Sequence, residues 1–415
     1  MSFLKTSVLN GISVAIRTGI SFLLNKILAV YIGPAGYPLI GQFQNFIQMV
    51  TTFSGSAINT AVVKYTAEYH QDTQKQQKIW KNAGSVVFIL SFICSVGIIL
   101  FKEQLAISIF GSTEYENVFI WFGCFLLFFN LNAMFIAILN GKKEIIKLVV
   151  ANIVGSLFSL VITSFLAINH GIYGALIAVS IYQSLVFIVT LFICYKSPWF
   201  KISYLFGELD RKILKKFNSY ILMALVSAIC VPLSQMLIRR YLVNTFGDAQ
   251  TGYWEAMTRL SSAYLMFITT TLSVYYLPRL SELTLKKDLK SEIYLGYRYI
   301  LPITIIIGLV AFLLRDWIIQ LLFTGDFSPM RDLFAWQFLG DTLKIGSWLI
   351  AYLMFSKAMT KFFVITEIIF TILWVILVYI YCYYFGLKGS VIAYAINYFL
   401  YWIVTSILIF NRIKE

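Results

Sequence analysis

Residues 41–59 read GQFQNFIQMVTTFSGSAIN, an apolar run interrupted at helical spacing by Gln42, Asn45, Gln48, Thr52, Ser56 and Asn59. At about 100° per residue these six fall within an arc of roughly 120°, so the segment predicts a membrane helix with one polar stripe. The pattern returns in residues 253–273, YWEAMTRLSSAYLMFITTTLS, as Glu255, Thr258, Arg259, Ser262, Thr269 and Ser273. Asn45 and Arg259, Gln48 and Ser262, and Asn59 and Ser273 are each 214 positions apart. The chain therefore reads as an internal repeat, two lobes each offering a polar helix face to a wet cleft. Helix–helix packing is the other use such stripes have.

The 415 residues are 60% hydrophobic and 13% charged, with a mean hydropathy of +0.81. A soluble domain carries about 25% charged residues, so this is an all-α polytopic membrane protein. Stretches long enough to cross a hydrocarbon core of about 30 Å recur twelve times. They are residues 7–32, 36–63, 79–101, 115–139, 146–168, 171–195, 213–241, 251–278, 294–314, 332–357, 361–385 and 388–411. The first begins near Met1 with no small-residue cleavage site after it and is expected to be a mature helix. Cys94, Cys124, Cys194, Cys230 and Cys382 all lie within spans, an odd number without paired spacing, and read as packing residues.

The net charge of +14 is laid out by loop. Lys64, Lys75, Lys78 and Lys81, then Lys142, Lys143 and Lys147, then Lys196 to Lys216 fall in alternate connections, while residues 33–36 and 169–171 carry none. That asymmetry is the positive-inside pattern; it places both termini in the cytoplasm and gives the excess charge to topology and lipid headgroups, not to nucleic acid. Six spans per half make the halves parallel, related by an axis along the membrane normal. The expected organisation is an N-lobe over 1–200, a cytoplasmic linker over 201–212 and a C-lobe over 213–415. His170-Gly171-Ile172-Tyr173-Gly174-Ala175 and Phe385-Gly386-Leu387-Lys388-Gly389-Ser390 extend the repeat.

An ionised side chain at mid-bilayer costs about 2.5–3.5 kcal/mol on insertion scales, so each needs a partner, a wet cavity or a function. Arg17 lies at the middle of the first span and Lys26 nearer its periplasmic end, where snorkelling is also open to it. Arg239 and Arg240 fall near the end of the seventh span. Glu255 and Arg259 stand one turn apart on the eighth, and Asp341 and Lys344 three apart on the tenth with Gln337 and Trp348. Both sets also suit plain ion pairing. The balance is cationic, and guanidinium forks match phosphate oxygens, so an anionic, phosphate-bearing ligand is expected on Arg17, Lys26, Arg239, Arg240, Arg259 and Lys344. Asp341, Glu255 and Glu367 are the candidate coupling carboxylates. No phosphate-binding glycine loop or cluster with metal spacing is present, and His70 and His170 fall outside the spans. No catalytic residue, cofactor or metal is expected.

Arg331-Asp332-Leu333-Phe334-Ala335-Trp336-Gln337 with Gly340-Asp341 and Leu343-Lys344 resembles the tenth-helix region of Wzx-type flippases. So do Gly33-Pro34-Ala35-Gly36, Lys64-Tyr65 with Tyr69-His70, and Ser273-Val274-Tyr275 with Leu277-Pro278. These flippases of O-antigen and enterobacterial common-antigen (lipid III) units belong to the multidrug/oligosaccharidyl-lipid/polysaccharide exporter superfamily. The resemblance implies a MATE-like alternating-access fold of two parallel six-helix lobes. It also implies a cargo of glycan on undecaprenyl diphosphate and a bacterial inner-membrane location. Candidate partners are membrane lipids, the periplasmic glycan polymerase and the chain-length regulator. Family members carry basic residues at positions matching Arg17, Lys26, Arg239, Arg240 and Lys344, and an Asp at Asp341. Glu255 and Arg259 depart from the common-antigen members, which leaves an O-antigen unit open as cargo. A cation-coupled multidrug exporter and a membrane glycan polymerase or ligase are the rival expectations.

Overall fold

In hydrocarbon every backbone N–H and C=O must be satisfied within the chain, and a helix does so locally. The computed structural model describes residues 3–207, 209–272, 276, 279, 280, 283, 285–357 and 359–414, and holds no strand among them. Ser273, Val274, Tyr275, Leu277 and Pro278 lie outside the described residues. The α-helices are α1 (Phe3–Tyr31), α2 (Gly33–Phe53), α3 (Asn59–Glu68), α4 (Thr73–Leu100), α5 (Lys102–Phe110), α6 (Asn117–Gly141) and α7 (Ile145–Tyr195). They continue as α8 (Arg211–Phe246), α9 (Asp248–Thr271), α10 (Lys286–Leu313), α11 (Arg315–Leu322), α12 (Phe334–Ser356), α13 (Thr360–Phe385) and α14 (Lys388–Lys414).

Among the described residues nine helices are long and apolar enough to cross a membrane, ten if the bent pair after Gly33 is one span. Twelve is therefore an approximate count. α7 is 51 residues long and breaks at Gly171, so it holds the stretches expected at 146–168 and 171–195. α9, which carries the second stripe, is not among the nine because its polar residues lower the hydropathy. Large apolar side chains stand on the outside, Leu100 at 71% and Tyr383 at 81% exposure, as a lipid-facing surface requires.

The helix expected over 36–63 is broken. α2 stops at Phe53, and the chain turns 64° through Gly55 (φ 154°) into a 3₁₀ turn at Ser56–Ile58 and then α3. Val87 packs so closely that a Cβ on Gly55 would lie 2.8 Å from its Cγ2. The freed backbone is satisfied by side chains, as it must be in a dry interior. Asn130 Nδ2 donates to Ser54 Oγ (2.7 Å) and Ser91 Oγ (2.9 Å), and Ser91 Oγ donates to the Ser54 carbonyl (3.2 Å). The first stripe is consequently split, Gln42 to Thr52 on α2, Ser56 in the turn and Asn59 on α3.

By packing, the chain forms two compact units: Met1–Tyr31 with Leu39–Pro232, and Ile32–Pro38 with Leu233–Glu415. In the first unit α6 packs on α4 and α7, and α1 lies along α7. Asp72 caps α4 by accepting from the backbone N–H of Lys75 (3.0 Å), which with the Lys75 ammonium holds its carboxyl below the usual range. The connection after α7 is tied down on α4. Ser85 Oγ donates to the Gly207 carbonyl (2.8 Å), and the Asp210 N–H donates to Asn82 Oδ1 (2.6 Å). In the second unit α12 is central, packed by α14, α10, α13 and α9.

Candidate functional site

In the second unit one buried carboxylate holds two guanidinium groups. Arg239 donates through Nε (3.0 Å) and Nη2 (2.7 Å) to Glu255 Oε2, and Arg259 Nε donates to Glu255 Oε1 (3.3 Å). All three side chains are largely withdrawn from solvent, at 4%, 6% and 16% exposure for Arg239, Glu255 and Arg259. Aromatic faces complete the setting. The Arg239 guanidinium lies 5.6 Å from the Trp254 ring centre and that of Arg259 lies 5.3 Å from Tyr37. Tyr37 reaches this point because Ile32–Pro38 packs with the second unit, its ring against Phe327 at 5.2 Å. Gly252 permits the approach, since a Cβ there would lie 1.9 Å from the Pro34 carbonyl oxygen.

A second buried carboxylate pins three helices. Asp341, fully buried on α12, accepts from Ser261 Oγ (2.8 and 2.7 Å) and Tyr264 Oη (2.5 Å) of α9, from Tyr394 Oη (2.9 Å) of α14 and from Gln337 Nε2 (3.2 Å). Both oxygens are thereby filled by donors. Tyr394 gets this close because Gly340 has no side chain; a Cβ there would lie 2.4 Å from its ring. Lys344 points elsewhere, its ammonium 4.9 Å from the Trp348 ring centre, 5.5 Å from Tyr398 and 5.9 Å from Tyr394. Among the described residues Asp341 and Lys344 form no ion pair. Glu367, half-buried on α13, acts electrostatically on Lys344.

The stripe hydroxyls of α9 mostly turn back on their own helix. Thr258 donates to the Trp254 carbonyl (2.9 Å), Ser262 to that of Thr258 (2.9 Å) and Thr269 to that of Met266 (3.3 Å). Arg240 faces outward next to the inward Arg239. In the first unit Gln42 and Asn45 are buried, Asn45 with its Nδ2 unpartnered, while Gln48 is exposed and Asn59 half-buried. Arg17 is exposed on α1 within electrostatic range of Tyr182, and Lys26 is half-buried further along the same helix. The structure thus joins Arg239, Glu255 and Arg259, and separately groups Asp341, Lys344 and Glu367. Sequence reading missed Arg239 as a partner of Glu255, and also Tyr37, Ser261, Tyr264 and Tyr394. Their one common signal is polarity inside an apolar helix.

Both arrangements satisfy charged and polar side chains inside helices that are otherwise largely apolar. The fold agrees with that of known transporters. An inward-facing multidrug-resistance MATE family transporter of the MOP superfamily matches with a TM-score of 0.74 at 18% identity, over 97% of this chain and 98% of that one. A MOP superfamily transporter from Pyrococcus furiosus matches with a TM-score of 0.71 at 18% identity, over 99% and 96%.

The chain belongs to the polysaccharide biosynthesis protein family, whose model matches residues 3–284. It is 30% identical over 408 residues to the lipid III flippase of Escherichia coli strain K12, spanning 97% of this chain and 96% of that protein. The lipid III flippase of Shigella flexneri matches to the same extent. This is a transporter of the flippase family, as the resemblance in the tenth-helix region led us to expect.

Proposed function

We propose that the protein flips an oligosaccharide on undecaprenyl diphosphate, a common-antigen lipid III or an O-antigen unit, from the cytoplasmic to the periplasmic leaflet. The observation that carries this is the Arg239–Glu255–Arg259 cluster: two forked cations, one on α8 and one on α9, held in place by one buried carboxylate, the chemistry that matches phosphate oxygens. Arg17, Lys26, Arg240 and Lys344 supply further positive charge, and the polar stripe residues of α2 and α9 suit the sugars. A charged glycan headgroup cannot enter hydrocarbon unaided, so a polar path must be supplied by protein. Alternating access of the lobes at 1–200 and 213–415, joined through 201–212, is the transport cycle in this reading.

The location is the bacterial inner membrane with both termini in the cytoplasm, in accord with the basic loops. The exported unit passes to a periplasmic glycan polymerase under its chain-length regulator. Coupling is assigned to Glu367 ahead of Asp341 and Glu255. Glu367 is half-buried and acts electrostatically on Lys344, so a proton entering it changes the field at one of the cations assigned to the substrate. The test is complementation of a strain lacking its own lipid-linked glycan flippase. Restored surface glycan, lost again with Arg259→Ala at equal protein level, is expected; failure of the native chain to restore any O-antigen or common antigen would overturn the assignment.

A further inference from the structure

Thr190, Asn132, Gln183 and Tyr182 form a directed run of hydrogen bonds in the first unit. Thr190 Oγ1 donates to Asn132 Oδ1 (2.6 Å), Asn132 Nδ2 to Gln183 Oε1 (2.9 Å) and Gln183 Nε2 to Tyr182 Oη (3.1 Å). Each amide accepts a hydrogen bond with its carbonyl and donates the next with its N–H. The start of the run is anchored, since Thr190 and Asn132 are buried. Its end is a phenol oxygen that accepts, which leaves the Tyr182 O–H directed away from the run. Arg17, on α1, which packs along α7, lies within electrostatic range of Tyr182. Among the described residues Arg17 has no ion-pair partner.

A guanidinium and a phenol donor within electrostatic range of each other, on two packed helices, are suited to one diphosphate. The phenol supplies a donor without the insertion penalty of a second cation, about 2.5–3.5 kcal/mol at mid-membrane. We propose that Tyr182 donates its hydroxyl proton to a phosphate oxygen of the lipid-linked substrate next to Arg17, with Gln183 and Asn132 as the residues that hold it in the donor role. This rests on the function proposed above and adds a neutral contact to it, one that reads hydrogen-bond geometry where Arg17 reads charge. Diphosphate is the shared chemistry; a lipid headgroup is its source.

The test measures binding of farnesyl diphosphate and of inorganic pyrophosphate to the full chain in nanodiscs, with thermal unfolding recorded for each variant. Native protein should bind farnesyl diphosphate more tightly than pyrophosphate; equal or tighter pyrophosphate binding overturns the lipid assignment. Tyr182→Phe should weaken farnesyl diphosphate binding about tenfold or more, the scale of a lost hydrogen bond to a charged group, at an unchanged melting temperature. Gln183→Met should weaken binding in the native background and add nothing in the Tyr182→Phe background, the non-additivity expected of a positioning residue. If the amides are turned the other way, the phenol donates inward to Gln183. Tyr182→Phe would then lower the melting temperature and leave affinity alone, which overturns the proposal. Loss of binding with Arg17→Gln but not with Tyr182→Phe overturns it as well, while leaving the cationic site intact. If the native chain binds neither probe, the diphosphate reading falls and this inference with it.

Discussion

Gly171 and Gly386 hold the same backbone conformation, φ 55° and ψ −136° against φ 59° and ψ −149°, at corresponding points of the two halves. Three residues on, Gly174 and Gly389 begin their helices against the previous ones. A Cβ would lie 2.0 Å from the Leu166 carbonyl oxygen in one and 2.1 Å from that of Tyr381 in the other. Little but the glycines is shared between the two six-residue stretches. The repeat is retained where stereochemistry demands it, since an L side chain fits neither the left-handed turn nor the close approach.

Substituting either pair should therefore behave alike. Gly174→Ala and Gly389→Ala are each expected to destabilise by more than about 1 kcal/mol, as Gly-to-Ala changes do where the native backbone cannot take them. Gly97→Ala, on α4 with open space around it, is the control and should be neutral or slightly stabilising. Thermal unfolding in nanodiscs decides this; a pair that differs widely would argue against structural equivalence of the two turns.

Glu255 is expected to be a structural anchor. Glu255→Gln leaves two buried guanidiniums with half their partner, and removal of one member of a buried ion cluster costs about 3–5 kcal/mol. The variant should melt well below the native protein, and Arg239→Met together with Glu255→Met should recover part of the loss. A Glu255→Gln protein of native stability that has lost only its response to a proton gradient would identify Glu255 as the coupling residue.

Asp341→Asn should weaken the junction of α9, α12 and α14. An amide has one acceptor oxygen where the carboxylate has two, so at least one buried hydroxyl loses its acceptor, at about 1–3 kcal/mol. Vesicle transport driven by an imposed pH gradient should respond in this variant as in the native chain, and should stop responding in Glu367→Gln. A response lost in Asp341→Asn and kept in Glu367→Gln would reverse the coupling assignment.

The spans and the repeat were legible because membrane burial leaves a hydropathy signal in most of the long helices, and α9, where that signal is weak, carries the polar stripe instead. The break in the second span was signalled only by Ser54, Gly55 and Ser56 together, a glycine between two small polar residues, and reading 36–63 by periodicity carried the helix straight through it. Spacing also governed the view of Asp341 and Lys344: three positions apart on one helix, they looked like a pair. The structure turns Asp341 toward Ser261, Tyr264 and Tyr394 on other helices, and Lys344 toward a ring of aromatics. Partners across helices depend on how each helix is rotated about its axis, which one sequence does not encode locally. The same limit hid Arg239 behind Glu255, where the i, i+4 neighbour Arg259 was in plain view.

In the function proposed above, cations inside the spans carry a diphosphate-linked glycan across the bilayer. The most direct measurement is the rate at which a labelled polyprenyl-diphosphate oligosaccharide changes leaflet in proteoliposomes, read by loss of label to an impermeant glycosidase. The native chain is predicted to accelerate that exchange, and Arg17→Ala combined with Arg259→Ala to reduce it at least about tenfold, the scale of one lost charge-assisted contact. Equal rates for the two proteins, at equal amounts in the membrane, would contradict the account.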